Sequence, residues 1–493
     1  MSVDISSIFD SRTSIDRLID QFMILEQRPL NVLLDKKSEL EEKKTVFSDL
    51  DSKLSSLKSI VERMTDPITD YFASKKATTS DSDKFTASAG ASAELGNHSM
   101  TVERLAVSDT RVSKQYTDTN TSFTAFTTDQ TFSIEVAHPT SSDSSNRVSI
   151  SVTVGSATFS KTDDEVLQDI ADAINTAMSN AVTAETIESD EIVNASVVTE
   201  VDGTSRIILR SAQSGYTYRM DFTDSADSLL NAMEVNAAVQ STGTSGGYIT
   251  AVGTSASDSQ LNAKFVLDGL TFYRDSNNVA DAISGVTIQL LDTFATTETI
   301  TVNADVDAVK SEVNNFIDSY NEVIKFLREN ARYNPDTEKS GMLTNELVYR
   351  DIVNSLRGYT VATVSGAASS TYTKLYNIGI EADDEGMLSI KDLEKFTEAT
   401  EANSTNVSDL FNASDGVAEN IKNYIETFVK VGGTIDSSKN NIDSQLINLD
   451  DRISFTQELL DKREAQLRDE FSKLQEMMAK LSQQQSFFGL FAK

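Results

Sequence analysis

The stretch LLDKREAQLRDEFSKLQEMMAKL (residues 459–481) repeats leucine at every seventh position from Leu460 onward. The spacing continues upstream, and the complete row is Leu446, Ile453, Leu460, Leu467, Leu474 and Leu481. Apolar residues at this spacing lie on one face of an α-helix. A helix carrying the row over about 40 residues would be roughly 60 Å long. Because such a face is stable only when it is covered, the sequence predicts a packing partner for it.

A second heptad row near the start of the chain can supply that partner. It consists of Leu33, Leu40, Phe47, Leu54 and Val61, with Leu50 and Leu57 interleaved at the complementary coiled-coil positions. Pro29 favours a helix start, because the first turn does not need its missing N–H. We predict that the two rows pack on each other and on the same helices of further copies. A bundle closed within one chain is the alternative.

Other helices are predicted on both sides of these rows. A short amphipathic helix before Pro29 would bury Ile15, Leu18, Phe22 and Leu25. From residue 305 onward, apolar residues again recur at helical spacing and predict further helices. One of the predicted helices ends at Gly358. The last long helix is predicted to start near Ile442.

Between the helical ends the sequence changes to Ser, Thr, Gly and β-branched residues. Alternating valine and isoleucine at 148–154 predict a half-buried strand, and Thr162 with Glu165 forms a capping box that predicts a following helix. Asp-Gly pairs at 202–203 and 268–269 predict two-residue hairpin turns. The middle of the chain is therefore predicted to be rich in β-structure.

This order predicts an α+β multidomain fold, in which long terminal α-helices form a coiled-coil or helical-bundle leg and β-rich head domains are inserted between them. The predicted domains are a terminal helical domain (1–45 and 440–493), a helical leg (46–76 and 305–439), a β-rich head (77–114 and 245–304) and a second, outermost β-rich head (115–244). The Ser/Thr/Gly-rich stretch 240–260 predicts a linker or hinge.

Composition excludes several classes of function. The 493 residues include no cysteine, which excludes disulfides and thiolate chemistry, and the net charge of -33 disfavours nucleic acid as a partner. No apolar run is long enough for membrane insertion, and residues 1–18 lack the pattern of a cleaved secretory signal. We expect a cytoplasmic protein or one exported by a route that leaves its N-terminus intact.

No catalytic arrangement is predicted, and neither a cofactor nor a metal is expected. His98 and His138 lack metal-ligand spacing. Ser245 lies in GTSGG (residues 243–247), which matches the G-x-S-x-G pattern, but no histidine follows it and its flanks are not a strand and a helix. The acidic stretch EADDEG (residues 381–386) is interpreted as a solvated turn. We predict a protein that is not an enzyme.

Four stretches, in this order, resemble the family of flagellar filament cap proteins, also called hook-associated protein 2. They are SIDRLIDQFMILEQRPLNVLLDKKSEL (14–40), FTASAGASAELGNHSMTVERLA (85–106), NAKFVLDGLTFYRDSNNVADAISGVTIQLLDT (262–293) and IGIEADDEGMLSIKDLEKFTEATEANSTNVSDLF (378–411). No single stretch identifies the family by itself, but the order of the four stretches between two heptad rows is specific to it. The resemblance covers essentially the whole chain and is weakest over 115–240.

The resemblance implies a structural protein that forms a homo-oligomeric cap at the extracellular tip of the bacterial flagellum. Such a cap promotes folding and insertion of exported flagellin and prevents its loss. The implied partners are further copies, flagellin, a hook-associated junction protein and an export chaperone. Export would use the flagellar type III apparatus without signal cleavage. The oligomer number does not follow from the sequence.

Two alternatives remain open at this point, a surface adhesin that binds host mucin or glycans through its head domains, and another flagellar axial or junction protein. The chain also carries a hydrophobic cluster near its C-terminal end, formed by Phe487, Phe488, Leu490 and Phe491. Such a cluster is typical of a binding surface. We predict contact with the filament or with a chaperone, as the family suggests, and packing against the chain's own Phe22 helix is the alternative.

Overall fold

The structure is a computed structural model that describes residues 12–66, 70–141, 143–240, 242–331, 333–334, 339–402 and 404–491. The chain forms two compact units. One is built from both ends of the chain, up to Ala73 and from Val306 onward, and the other is Ser74–Asp305. The predicted α+β fold with terminal helices and an inserted β-rich part is confirmed. The finer division into four domains stays a prediction.

Helices dominate both ends of the chain, and strands dominate its middle. The helices are α1 (Arg12–Glu26), α2 (Arg28–Met64), α3 (Asp163–Thr183), α4 (Leu229–Met233), α5 (Val306–Asn330), α6 (Leu347–Val361), α7 (Leu393–Ala402), α8 (Ser404–Asn412), α9 (Val417–Val429) and α10 (Thr434–Phe491), with short 3-10 turns at Tyr71–Ala73, Ser156–Ser160 and Leu375–Ile378. The strands are β1 (Lys75–Thr79), β2 (Phe85–Ala89), β3 (Gly96–Arg104), β4 (Ser108–Val112), β5 (Tyr116–Thr117), β6 (Gln130–Ala137), β7 (Arg147–Val154), β8 (Val193–Val201), β9 (Thr204–Ser214), β10 (Asp221–Thr223), β11 (Gly247–Tyr248), β12 (Ala263–Leu267), β13 (Leu270–Arg274), β14 (Asn278–Ile283), β15 (Val286–Leu290), β16 (Phe294–Ala304), β17 (Tyr333–Asn334), β18 (Lys339–Ser340), β19 (Ile380–Ala382) and β20 (Leu388–Ile390).

Helix boundaries follow local signals in part. Pro29 lies in the first turn of α2, as predicted, and α2 ends at Met64. Two predicted boundaries are wrong. Gly358 lies inside α6 rather than at its end, in open space where a side chain would meet no neighbour. The last helix begins at Thr434, eight residues before the predicted start at Ile442 and two residues after Gly432 with its left-handed φ of 72°.

The helical unit is held together by one large core, which we call the leg core. The C-terminal half of α2 packs there against α5, α9 and α10, and Phe47, Leu50, Leu54, Leu57 and Val61 are essentially inaccessible to solvent. Burial of side chains of this size stabilises the unit by about 1.5–3 kcal/mol each, before the entropy of ordering them is subtracted.

The inserted unit contains two separate apolar cores. The flank core is formed by residues of 85–106 and 263–302, between a five-stranded antiparallel sheet (order β1-β16-β3-β12-β13) and a three-stranded one (order β14-β15-β2). The insert core is formed by residues of 116–235, where α3 packs on β7, β8 and β9. Each core is therefore stabilised by its own sheets.

Local turn and cap signals in this unit are confirmed. The backbone N–H of Thr162 donates to Glu165 Oε2 (3.2 Å) at the start of α3, as a capping box requires. Asp268 and Gly269 have φ of 50° and 81° between β12 and β13, which matches a two-residue turn with positive φ at both positions.

The predicted linker at 240–260 is instead packed against its surroundings. β11 pairs with β4, and the fully buried Arg206 donates a hydrogen bond to the Gly243 carbonyl oxygen (2.7 Å). The backbone N–H of Gly246 donates to Glu234 Oε2 (2.9 Å). The expectation of an unpacked linker is therefore wrong around Gly246 and Gly247, because small residues there permit close backbone packing.

Candidate assembly surface

The two ends of the chain pair as an antiparallel helical hairpin. Three ion pairs link α2 to α10: Lys37 Nζ–Asp450 Oδ1 (2.7 Å), Lys44 Nζ–Asp443 Oδ1 (2.5 Å) and Lys439 Nζ–Asp51 Oδ2 (2.8 Å). The α2 residues of these pairs are seven apart, as expected for flanking positions of a heptad seam. The hydrogen bond to Asp450 raises the pKa of Lys37, and that to Asp51 raises the pKa of Lys439. The charges thus complement each other across the seam.

The pairing continues beyond α2 onto the short helix α1, with the charges reversed. Here the acidic groups lie on the N-terminal helix, and the pairs are Arg463 with Glu26 (3.8 Å) and Arg468 with Asp16 (2.9 Å). These side chains are about half exposed, so each pair contributes little stability by itself. Together with the α2 pairs they specify one register of the hairpin.

The buried row of α10 differs from the predicted row in its first part. Ile435, Ile442 and Leu449 are the buried positions there, with at most 6% exposure, whereas Leu446 and Ile453 are only partly buried. At Leu460 and Leu467 the buried row coincides with the prediction, whereas the next two positions, Leu474 and Leu481, are exposed. The 11-residue step from Leu449 to Leu460 compensates for the drift of a 3.6-residue helix against a seven-residue repeat.

Distal to the leg core, the described side chains of the hairpin form a small apolar core, which we call the distal cluster. Its buried members are Ile19, Met23, Leu30, Leu460 and Leu467. At the edge of this cluster, the centroids of the Phe22 and Phe471 rings lie 6.4 Å apart. The face predicted for α1 is thus displaced by one residue, because Ile19 and Met23 are buried while Phe22 and Leu25 are 47% and 54% exposed.

Large apolar side chains remain exposed around the distal cluster. This set, the exposed apolar face, consists of Phe22, Leu25, Val32, Phe455, Leu459, Leu474, Met477 and Leu481, which are 38–65% exposed. A groove of about 360 Å³ between α2 and α10 is lined by Pro29, Val32, Leu33, Arg452, Phe455 and Thr456. Apolar side chains grouped in this way are typical of an interaction surface rather than of a solvated helix.

The predicted pairing residues divide into three groups by exposure. The buried ones are Leu40, Phe47, Leu50, Leu54, Leu57, Val61, Leu460 and Leu467, the partly buried ones are Leu33, Leu446 and Ile453, and the exposed ones are Leu474 and Leu481 at 38% and 48%. Only the first part of the C-terminal row packs on the N-terminal row: Leu446 and Ile453 lie against the leg core. Leu460 and Leu467 pack with Ile19, Met23 and Leu30 instead. The role of the two rows in assembly stays a prediction.

Sequence reasoning missed Phe455 and Leu459 as candidate surface residues. Phe455 and Leu459 are four residues apart, so they lie on one face of the helix, and neither belongs to the heptad row. Their spacing is the only signal in the sequence that could have identified them. The predicted cluster of Phe487, Phe488, Leu490 and Phe491 has side chains outside the described part of the structure. Its proposed contact with a partner stays a prediction.

The residues considered for chemistry have structural roles where they are described. His98 Nδ1 lies 2.7 Å from Asp268 Oδ2 beside a hairpin turn, and the Ser245 hydroxyl donates to the Thr242 carbonyl oxygen (3.0 Å). Asp383 accepts the backbone N–H groups of its own turn. Within the described ranges, no group of His, Cys, Asp or Glu side chains is arranged to hold a metal ion.

None of the helices in the described ranges combines the length and the apolar character that a membrane-spanning helix requires.

Comparison with known proteins places both ends of the chain in one family. The family model "Flagellar hook-associated protein 2 N-terminus" matches residues 11–109, and "Flagellar hook-associated protein 2 C-terminus" matches residues 261–483. The two matches leave the insert core between them, the region where the resemblance in sequence is weakest.

Individual relatives extend this result over nearly the whole chain. The A-type flagellar hook-associated protein 2 of Pseudomonas aeruginosa is 24% identical over 495 residues, which cover 96% of this chain and 94% of that protein. The flagellar hook-associated protein 2 of Salmonella typhimurium is 25% identical over 334 residues. That match covers 66% of each chain, just under two thirds of the relative's length.

A solved structure supports the fold. The crystal structure of the D1-D2-D3 domains of the flagellar cap protein FliD from Escherichia coli aligns with a TM-score of 0.56 at 21% identity, covering 81% of this chain and 99% of that one. These findings favour the cap family over the adhesin and the junction protein considered above. With matched family models at both ends, in the expected order, the chain belongs to the flagellar hook-associated protein 2 family.

Proposed function

We propose that this protein is a structural cap at the distal tip of the bacterial flagellar filament. Copies of the chain assemble into an oligomer there, promote the folding and insertion of exported flagellin, and prevent its loss into the medium. The family supports this role, since the Escherichia coli structural neighbour is itself a flagellar cap protein. The protein has no enzymatic activity in this proposal.

The main structural support for the proposal is the exposed apolar face of the terminal hairpin. Phe455 and Val32 are 64% and 65% exposed beside a distal cluster too small to stabilise the hairpin strongly. A partner that covers this face would stabilise it. Since charged side chains are interspersed along the hairpin, the resulting contact would be modest in strength and could form and break repeatedly, as a cap that moves with the growing filament requires.

The partners in this proposal are further copies of the chain, flagellin, a hook-associated junction protein at the start of growth, and an export chaperone before secretion. The protein acts outside the cell, after export through the flagellar type III apparatus with its N-terminus intact. Phe487, Phe488, Leu490 and Phe491 are proposed to contact the filament or the chaperone.

A deletion strain tests the proposal. Without the protein we expect no filament and unpolymerised flagellin in the medium, and the wild-type gene should restore growth. Full-length filaments in the deletion strain would refute the cap function.

The same strain tests the surface. Leu459→Asp places a charge on the exposed apolar face and should fail to restore filaments. Leu270→Asp is the matched control, at a 65% exposed leucine of β13 in the inserted unit. Equal filament length with both variants, at equal levels of secreted protein, would show that the exposed apolar face is not the assembly surface.

A further inference from the structure

A third, small apolar cluster lies between the flank core and the insert core. It is formed by Tyr216, Val252 and Leu261, with the partly buried Tyr248 packed against it. We call it the junction cluster. Leu261 is completely buried and Tyr216 is 9% exposed. The chain passes this region twice between the two cores. On the first passage the backbone N–H of Val107 donates to the Leu261 carbonyl oxygen (2.9 Å), and the Val107 carbonyl oxygen accepts from the Gly215 N–H (3.1 Å).

A turn of the insert side, Ser214–Thr217, fits against Asp275 of the flank side. The Thr217 hydroxyl donates to Asp275 Oδ2 (2.7 Å), and its backbone N–H donates to Asp275 Oδ1 (3.2 Å). The Ser214 hydroxyl donates to the Asp275 carbonyl oxygen (2.5 Å). One residue thus accepts three hydrogen bonds across the junction.

Gly215 makes this close approach possible. Its φ of 94° lies in the region that favours glycine, and a Cβ atom added there would lie 2.3 Å from the Asp275 Cβ atom. No side chain can therefore replace the glycine without separating the two backbones. Next to it, the backbone N–H of Tyr216 donates to Asn262 Oδ1 (2.6 Å), and the Tyr216 hydroxyl donates to the Thr254 carbonyl oxygen (2.8 Å).

A buried arginine of the insert side contacts the junction cluster through Tyr248. Arg111 pairs with Asp109 through Nε (2.7 Å) and donates to the Met220 carbonyl oxygen (2.8 Å). Its guanidinium carbon lies 3.8 Å from the centre of the Tyr248 ring. Both charges are almost fully buried and fully paired, an arrangement that is strongly weakened when either partner moves away.

We propose that Ser214–Thr217 and Asp275 form a clamp that makes the flank core and the insert core one rigid body. Directional hydrogen bonds fix a rotation that apolar contact alone would leave free. A load or a binding event on the insert core is then transmitted to the flank core without an intervening hinge. The clamp is a property of this chain's own residues and does not depend on the proposed cap function.

Distance measurement between the two cores tests the clamp in the full-length protein. The chain has no cysteine, so Thr176→Cys on α3 and Thr297→Cys on β16, both at exposed positions, provide a unique pair of sites for spin labels. Double electron–electron resonance should give one narrow distance distribution. A broad or bimodal distribution in the otherwise unchanged protein would overturn the proposal.

Variants of the clamp complete the test. Asp275→Ala and Gly215→Ala should each roughly double the width of the distribution, because independent motion is the default for domains joined by a small interface. Asp275→Asn keeps an acceptor for Thr217 and should stay narrow. Asp281→Ala, which removes an exposed carboxylate of the same flank side, is the matched control. If neither Asp275→Ala nor Gly215→Ala broadens the distance distribution, the clamp is refuted.

Thr217→Val keeps the test decisive if Asp275→Ala does not fold. It removes only the hydroxyl donor to Asp275 and preserves the side-chain shape. Broadening in this variant, with unchanged circular dichroism, supports the clamp, and an unchanged width counts against it.

Discussion

The inserted unit and the distal part of the terminal hairpin are built in opposite ways. In the inserted unit, sheets enclose two apolar cores, and residues such as Phe265 and Ile207 are completely buried. In the distal hairpin α1, the start of α2 and α10 share a thin core, while neighbouring Phe455 and Leu459 are exposed. The first region encloses its own apolar surface, whereas the second leaves large apolar side chains exposed that a partner would cover in the proposed assembly.

This difference teaches how one chain can combine a durable part with an exchangeable one. Local stability depends on the amount of apolar surface buried around a segment, so it is high in the inserted unit and low toward the hairpin end. An assembly contact that must form and break is suited to the region of low local stability. The predictions below separate the two regions.

The largest effect is expected from a cavity in the flank core. Phe265 is completely buried and its ring stacks on Phe272 at 5.3 Å, so Phe265→Ala should lower the free energy of unfolding by about 3–5 kcal/mol. Thermal unfolding monitored by circular dichroism measures the change. Leu270→Ala, at a 65% exposed position of the neighbouring strand, should change it by less than about 0.5 kcal/mol. Equal effects would mean that the sheet does not enclose a packed core.

A local effect is expected from charges in the distal cluster. Leu460→Asp combined with Leu467→Asp buries two carboxylates without partners and should weaken the pairing of α1 with α10 by on the order of 3 kcal/mol. Hydrogen exchange should accelerate in Arg12–Glu26 and leave the inserted unit unchanged.

Leu459→Asp is the adjacent control for this pair. Leu459 is 49% exposed, so exchange in α1 should not change, although assembly should weaken if the exposed apolar face is covered by a partner. Faster exchange throughout the inserted unit in the double variant would contradict the independence of the two regions.

Lowering the pH should decrease the stability of the flank core by protonating Glu298. Lys84 Nζ and the Ser80 hydroxyl both lie 2.6 Å from Glu298, and these hydrogen bonds hold its pKa at about 2. Because this pKa lies below the ordinary value of 4.5, ionised Glu298 stabilises the fold above pH 4.5, and the contribution is lost as the pH falls toward 2. The melting temperature of Glu298→Gln should be lower than wild type at pH 7 and equal to it near pH 2. A difference in melting temperature that persists at pH 2 would assign the effect to packing. Glu94→Gln, at an exposed position, is the control.

The smallest effect is expected from the ion pairs of the hairpin. Lys44 and Asp443 are each more than 40% exposed, so their pair should contribute about 0.2–1 kcal/mol. In a double-mutant cycle, Lys44→Glu and Asp443→Lys should each destabilise the hairpin, and the combined reversal should recover most of the loss. The coupling should decrease with added salt, since exposed charges are screened. A salt-independent coupling would indicate a desolvated contact instead.

Much of the local structure could be predicted from sequence because its causes are local. Pro29 at the start of α2, the capping box of Thr162 and Glu165, and the Asp-Gly turn at 268–269 each depend on the conformational preference of a few adjacent residues. The heptad rows likewise predicted the two long helices and the need to cover them. The leg core covers the α2 row, whereas Leu474 and Leu481 of the α10 row remain exposed.

The candidate site was predicted only in part. The pairing of the rows follows from their spacing, but the exposed apolar face includes Phe455 and Leu459, whose exposure depends on how α10 is rotated about its axis. That rotation is set by the leg core, which buries Ile442 and Leu449 rather than Leu446. Contacts between segments hundreds of residues apart leave no local signal.

The sequence by itself determined that this chain has helical ends, a β-rich middle and a family, since spacing, turn pairs and ordered motifs are properties of the linear chain. Only the tertiary structure decided that the stretch 240–260 is packed against its neighbours around Gly246 and Gly247 rather than free along its whole length. The reason is that Gly246 and Gly247 have the same local preference in a flexible linker as in a tight backbone contact. Whether such residues move is decided by their neighbours in space, which are Arg206, Glu234 and the strand β4.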